Sequence, residues 1–122
     1  MTINHLHLKV ADIGKSIAFY SAVFGFKEKV KFSDKFYFLQ DPSAFDLALD
    51  EIENVKPLPP GVHFGFALKT KTDVEALLNK IKAAYPTLLE SQEIRDHGSW
   101  GDFNCMDPDG HPIQVYWDVD LH

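Results

Sequence analysis

Polar and apolar residues alternate strictly over positions 5–10, with Leu6, Leu8 and Val10 on one side and His5 and His7 on the other. That period of two predicts a half-buried strand. Asp12 follows in an N-cap position. Ile13, Ile17, Tyr20 and Phe24 recur at helical spacing, and Gly25 stands where a left-handed glycine ends a helix. Three short strand-like runs come next, at 26–32, 35–40 and 45–50, separated by Ser33-Asp34 and by Asp41-Pro42-Ser43. Residues 54–61 contain Pro57, Pro59 and Pro60, which suit neither a helix interior nor a central strand, so this stretch reads as a linker.

Beyond the linker the pattern restarts. Over 62–68, Phe64, Phe66 and Leu68 take one face and His63, Gly65 and Ala67 the other. Thr72 and Glu75 have capping-box spacing, and Val74, Leu77, Leu78, Ile81 and Tyr85 form a helical stripe that Pro86 closes. Strands are expected at 88–95, 100–106 and 111–118, the last two joined by the Asp107-Pro108-Asp109-Gly110 turn. Setting His5 on His63 brings Phe19, Tyr20 and Val23 onto Leu77, Leu78 and Ile81, a weak internal repeat. The chain thus reads as α+β, a βαβββ unit used twice. Module one is about 1–53, the linker about 54–61 and module two about 62–122, within a single domain. Two such units predict a curved mixed sheet with helices outside and a concave ligand cup.

Composition narrows the function classes. With 122 residues, 45% hydrophobic and 25% charged, the chain has enough apolar material for a core without staples. The net charge is −6, and Lys and Arg are scattered, which argues against a nucleic-acid partner. Cys105 is the sole cysteine, as a reducing compartment tolerates. The opening MTINHLHLKV has no basic segment before an apolar run, and no stretch approaches a membrane span, so a cytoplasmic location is expected.

His5 and His63 open the first strands of their modules on the faces away from the apolar residues. Imidazole is the commonest metal ligand, so the matched pair is a metal hypothesis, weighed against two hydrogen-bonded strand histidines. Phe36 and Phe38 share one face of the third strand, Trp100 opens a later strand, and Tyr116 shares a face with Gln114; His7 lies beside His5. These five, His7, Phe36, Phe38, Trp100 and Tyr116, are the candidate ligand contacts, with stacking as their use and ordinary packing as the alternative. Arg95 suits an anionic partner or a strand-end charge, and Cys105 reads as core.

The run HLHLKVADIGKSIAFYSAVFGF resembles the opening of vicinal-oxygen-chelate proteins, the glyoxalase/bleomycin-resistance/dioxygenase type, and MDPDGHPIQVYW resembles their closing hairpin. The resemblance spans essentially the whole chain. It implies four metal-ligand positions, which fall on His5, Ala48, His63 and Gln114. Ala48 has no donor atom, and Gln114 stands where the enzymes of the family usually have glutamate. An amide dipole in place of a carboxylate, with a second ligand missing, costs a divalent site several kcal/mol. His5, His63 and Gln114 are therefore expected to hold Zn²⁺, Ni²⁺ or Fe²⁺ only weakly, with Asp46 or Asp50 as substitutes for Ala48. The missing glutamate also removes a base, and no catalytic residue is assigned. Two readings follow. The first is a small-molecule-binding protein without a tight metal site. The second is a metal-dependent lyase, isomerase or extradiol dioxygenase. The resemblance implies a homodimer for both.

Overall fold

The computed structural model describes residues 1–121. They divide into two compact units, Met1–Lys56 and a second that begins at Pro57, so the boundary falls inside the proline-bearing stretch.

In the first unit, strand β1 (His5–Val10) leads into helix α1 (Ile13–Phe24), followed by β2 (Lys27–Ser33), β3 (Phe36–Gln40) and β4 (Asp46–Glu51). The strands form one mixed sheet in the order β1-β4-β3-β2, with β1 parallel to β4 and the other neighbours antiparallel. Asp12 caps α1 by accepting the Lys15 N–H, and Gly25 ends it at φ 74, a left-handed conformation that glycine enters without steric cost. The buried stripe of α1 is Ser16, Phe19, Tyr20 and Val23. The expected stripe through Ile13, Ile17 and Phe24 is rotated by about one residue, and only Tyr20 belongs to both. The buried stripe is the one that repeats as Leu77, Leu78 and Ile81 in the second module. Against α1 the sheet sets Leu8, Val10, Leu39, Leu47 and Leu49, all buried. Each such side chain contributes roughly 1.5–3 kcal/mol.

The second unit runs β5 (Phe64–Leu68), α2 (Lys71–Ala84), β6 (Arg95–Asp96), β7 (Trp100–Met106) and β8 (Pro112–Asp118). Its sheet has the corresponding order, β5-β8-β7-β6, again with one parallel pair. The mixed strands are thus arranged as two four-stranded sheets, one in each module. Val74, Leu78 and Ile81 of α2 pack on β5, β7 and β8, where Phe103, Cys105, Ile113, Val115 and Trp117 are buried.

Three local expectations change. The cap of α2 is Thr70, which accepts the Asp73 N–H, and not Thr72, so the helix starts at Lys71. The strand expected over 88–95 is mostly irregular: a 3₁₀ turn at Pro86–Leu88, a lone bridge from Leu89 to Cys105, and the two residues of β6. Pro86 at the start of that turn has no N–H to give to a ladder. β5 begins at Phe64, so His63 precedes the strand instead of opening it. Among the described residues no helix is long and apolar enough to cross a membrane.

Gly101 on β7 lies opposite Trp117 on β8 and beside the two-residue β6. A Cβ at this position would overlap both the Trp117 ring and the Arg95 carbonyl oxygen. Neither is the free end of a flexible side chain. Gly101→Ala is therefore expected to lower stability by about 2 kcal/mol or more, the cost of forcing volume into a packed site. A urea denaturation midpoint equal to that of the natural sequence would contradict this packing.

Candidate functional site

Register places the functional candidates on the sheet faces that the helices leave open. In module one, His5, His7 and Lys9 of β1 pair with Asp46, Ala48 and Asp50 of β4, and these pair with Gln40, Phe38 and Phe36 of β3. Paired residues share a face, so the structure brings His5, His7, Ala48, Phe36 and Phe38 together on one surface. Phe32 joins them from β2. Its rings stand 5.6 Å from Phe36 and 5.5 Å from Phe38, and Phe36 and Phe38 are 5.6 Å apart. The three phenylalanines line a shallow, wide-open apolar hollow of about 420 Å³. His7 meets Phe36 edge to face at 5.3 Å. Sequence reading missed Phe32. The register of edge strand β2 shifts between Lys31 and Ser33, so simple alternation does not say which face a residue there takes.

The carboxylates of this face are already engaged. Asp46 accepts from Lys29 Nζ at 2.7 Å and from Gln40 Nε2 at 3.0 Å. Asp50 accepts from Lys9 Nζ at 2.6 Å and lies 3.4 Å from His7 Nε2. The Lys29 ammonium holds Asp46 below the ordinary carboxylate range, and the Lys9 ammonium does the same for Asp50. Neither carboxylate stands free to replace the ligand missing at Ala48, which is a buried methyl. His5 donates from Nδ1 to Asn4 Oδ1 at 2.8 Å, which leaves Nε2 as its ligating atom.

In module two the open face carries Trp100, Asp102 and Asn104 of β7 with Gln114 and Tyr116 of β8. Its centre is an ion pair between a buried carboxylate and an exposed guanidinium. Asp102 is fully buried, and Arg95 binds it as a fork, Nε to Oδ1 at 2.8 Å and Nη2 to Oδ2 at 2.6 Å. Gln114 Nε2 adds a third bond to Oδ2 at 2.8 Å. Burial pushes the Asp102 carboxyl up most strongly of any single influence, but the Arg95 and Gln114 hydrogen bonds together bring it below its ordinary value. Trp100 is exposed and stacks on His97 at 4.3 Å. His63 is exposed beside β5. Sequence reading did not single out Asp102, although its parity with Asn104 was a usable signal that this aspartate shares the face of Gln114.

Two further groups are structural or inert. The donor atoms of Asp107, Asp109 and His111 lie within 4.8 Å of one another. However, Asp107 Oδ1 accepts the Asp109 and His111 N–H groups, and His111 Nδ1 accepts the Leu58 N–H. Those bonds build the turn and tie it to the segment before β5. Burial drives the Cys105 thiol up to about 12, so it is no nucleophile near neutrality.

The metal hypothesis can be weighed on this donor set. The residues it calls on are His5 in the first unit and His63 and Gln114 in the second. None of the three is an anionic donor, and Asp46, Asp50 and Asp102 on the same two faces are paired with Lys29, Lys9 and Arg95. Two imidazoles and an amide oxygen suit Zn²⁺, Ni²⁺ or Fe²⁺ by donor type but bring no negative charge, which gives such an ion a weaker hold than a set that includes a carboxylate.

Comparison with known proteins agrees with the fold. Residues 2–115 match the family model described as the Glyoxalase/Bleomycin resistance protein/Dioxygenase superfamily. The chain is 31% identical over 121 residues to the metallothiol transferase FosB of Lysinibacillus sphaericus, covering 94% of this chain and 81% of that protein. A solved structure of a possible glyoxalase from Bacillus cereus superposes with a TM-score of 0.77 at 25% identity, covering 94% and 97% of the two chains. The genomically encoded fosfomycin resistance protein FosX of Listeria monocytogenes shares the fold, with a TM-score of 0.79 at 21% identity over 96% and 93%.

The Asp102 cluster makes two predictions. Because the folded carboxyl is held low, its contribution to stability is complete above the ordinary aspartate value of about 3.9 and is lost as pH falls through the lower folded value. Acid unfolding followed by circular dichroism should therefore be less steep in Asp102→Asn than in the natural sequence; identical pH profiles would contradict this. Gln114→Glu sets a second carboxylate against a buried one. It should cost about 1–3 kcal/mol at neutral pH, recovered on acidification as one carboxyl of the pair takes a proton. A stability difference that does not change with pH would count against the geometry.

Proposed function

This chain belongs to the Glyoxalase/Bleomycin resistance protein/Dioxygenase superfamily, and on that premise we propose that it binds a small organic molecule on the open face of its first module, without a tight metal site. The observation that carries this reading is the hollow of about 420 Å³ between Phe32, Phe36 and Phe38. That volume is of small-molecule size, roughly 300–1,000 Å³ being usual for such sites, and the hollow is shallow and open, walled by the faces and edges of aromatic rings. The chemistry selects a planar apolar group that stacks on or edges into the phenylalanines. His7, anchored near Asp50, supplies a polar rim. Trp100 and Tyr116 are assigned as further ligand contacts on the open face of module two. The reading includes a homodimer in the cytoplasm, supported by the exposed Val30 on edge strand β2 and by the lone buried thiol.

A second reading is favoured by the identity to a metallothiol transferase: a metal-dependent enzyme in which His5, His63 and Gln114 hold a weakly bound divalent ion. The ion would polarise an oxygen of the substrate there.

Thermal unfolding with a panel of planar aromatic and cationic compounds, run in chelator, separates the two. Under the first reading at least one compound raises the midpoint in chelator; a ligand at 100 times its Kd adds about 2.7 kcal/mol. Phe36→Ala abolishes that response. No response in chelator from any compound, with a response restored by Zn²⁺, Ni²⁺ or Fe²⁺, would favour the metal-dependent enzyme instead.

A further inference from the structure

The orientation of the Gln114 amide is dictated by its neighbour. Asp102 is fully buried and doubly bonded to Arg95, so its ionised carboxylate can accept hydrogen bonds and cannot donate them. The atom of Gln114 that faces it at 2.8 Å must be Nε2. Turning the amide over would set oxygen against a buried carboxylate oxygen, which leaves a charge under-bonded in a low-dielectric setting. Oε1 is thereby aimed away from Asp102 and takes no hydrogen bond from the described residues. Its neighbour across the parallel pair is Gly65. A Cβ there would come within 3.5 Å of Oε1, so the absence of a side chain leaves that oxygen uncovered from the β5 side.

We infer that Gln114 Oε1 is a fixed hydrogen-bond acceptor subsite on the open face of module two, specific for an N–H or O–H donor on a neutral or cationic ligand, and that Asp102, held by Arg95, is the positioning residue that sets this polarity. The subsite shares no residue with the phenylalanine hollow of the first module. It disfavours anions and acceptor-only groups, because a carbonyl oxygen is presented with a carboxylate directly behind its amide. The glutamine is thus a consequence of Asp102: a glutamate at this position would lose the donor that Asp102 requires.

The test uses indole and benzofuran, which match in shape and differ in offering a ring N–H or a ring oxygen, titrated into the ¹⁵N-labelled full chain. Chemical shifts are followed at the Gln114 side-chain amide and the Gly65 backbone amide. Indole is expected to shift both signals and to bind about fivefold more tightly than benzofuran, the typical effect of one neutral hydrogen bond. Gln114→Met removes the acceptor and should equalise the probes. Asp102→Asn frees the amide to turn over and should erase or invert the preference, an effect that loss of packing alone would not produce. Gln114→Met keeps the Arg95 pair and decides the matter should Asp102→Asn fail to fold. Equal affinities in the natural sequence, no shift at Gln114 and Gly65 from either probe, or a preference that survives Gln114→Met would overturn the inference. Shifts confined to Phe32, Phe36 and Phe38 would uphold the aromatic hollow and overturn the acceptor subsite.

Discussion

Each four-stranded sheet has a single helix to cover it, so within a module only one face of the strands is buried by its own helix. Strand alternation then settles the rest. Leu8, Val10, Leu47 and Leu49 in the first module, and Phe103, Ile113, Val115 and Trp117 in the second, are committed to the helix side. The residues between them, His5, His7, Phe36, Phe38, Asp102, Gln114 and Tyr116, are committed to the other. A slip of one residue in any of these strands would exchange the two sets, so the core and the candidate site are specified by the same pattern.

The open faces carry charge, and the chain neutralises it internally. Lys9 meets Asp50, Lys29 meets Asp46 and Arg95 meets Asp102. In the exposed pairs this arrangement adds little stability. At Asp102 the pairing is required, because an unpaired carboxylate at that depth would cost several kcal/mol. The chemical result is the same at all three positions: a carboxylate that could attract a cation already has one from the protein. Together with the methyl of Ala48 and the amide of Gln114, this lowers the negative charge that these positions offer a divalent ion. What is left is an aromatic hollow and a few oriented polar atoms, a combination suited to organic ligands.

Much of this architecture is legible in the sequence, for identifiable reasons. The Asp12 cap, the Gly25 stop, the repeated βαβββ order and the Asp-Pro-Asp-Gly turn depend on local chemistry that a short window contains. The buried α1 stripe shows in the internal repeat though not in the spacing through Ile13 and Ile17, the Thr70 cap competes with an equally plausible Thr72 two residues on, and the broken strand over 88–95 depends on Pro86 acting across a boundary. At the site, parity alone puts His5 with His7 and Phe36 with Phe38, and the register of β1, β4 and β3 puts the two pairs on one face. The place of Phe32 does not follow from parity, because of the β2 register shift. Nor does the pairing of Lys9, Lys29 and Arg95 with particular carboxylates, which depends on which strands become neighbours. Arg95 and Asp102 are seven residues apart and meet because β6 folds back on β7.

The family fold is shared with proteins named for metal-linked transfer chemistry, and a fold does not by itself transmit its chemistry. On the reading proposed here the chain keeps the family scaffold with His5 and His63 but no carboxylate at position 48 or 114, and so holds a divalent ion only weakly. Calorimetric titration of Zn²⁺ or Ni²⁺ into metal-stripped protein near neutral pH tests that most directly. The account predicts a dissociation constant weaker than about 1 μM, short of about −8.2 kcal/mol. One-to-one binding in the nanomolar range, lost in both His5→Ala and His63→Ala, would contradict it.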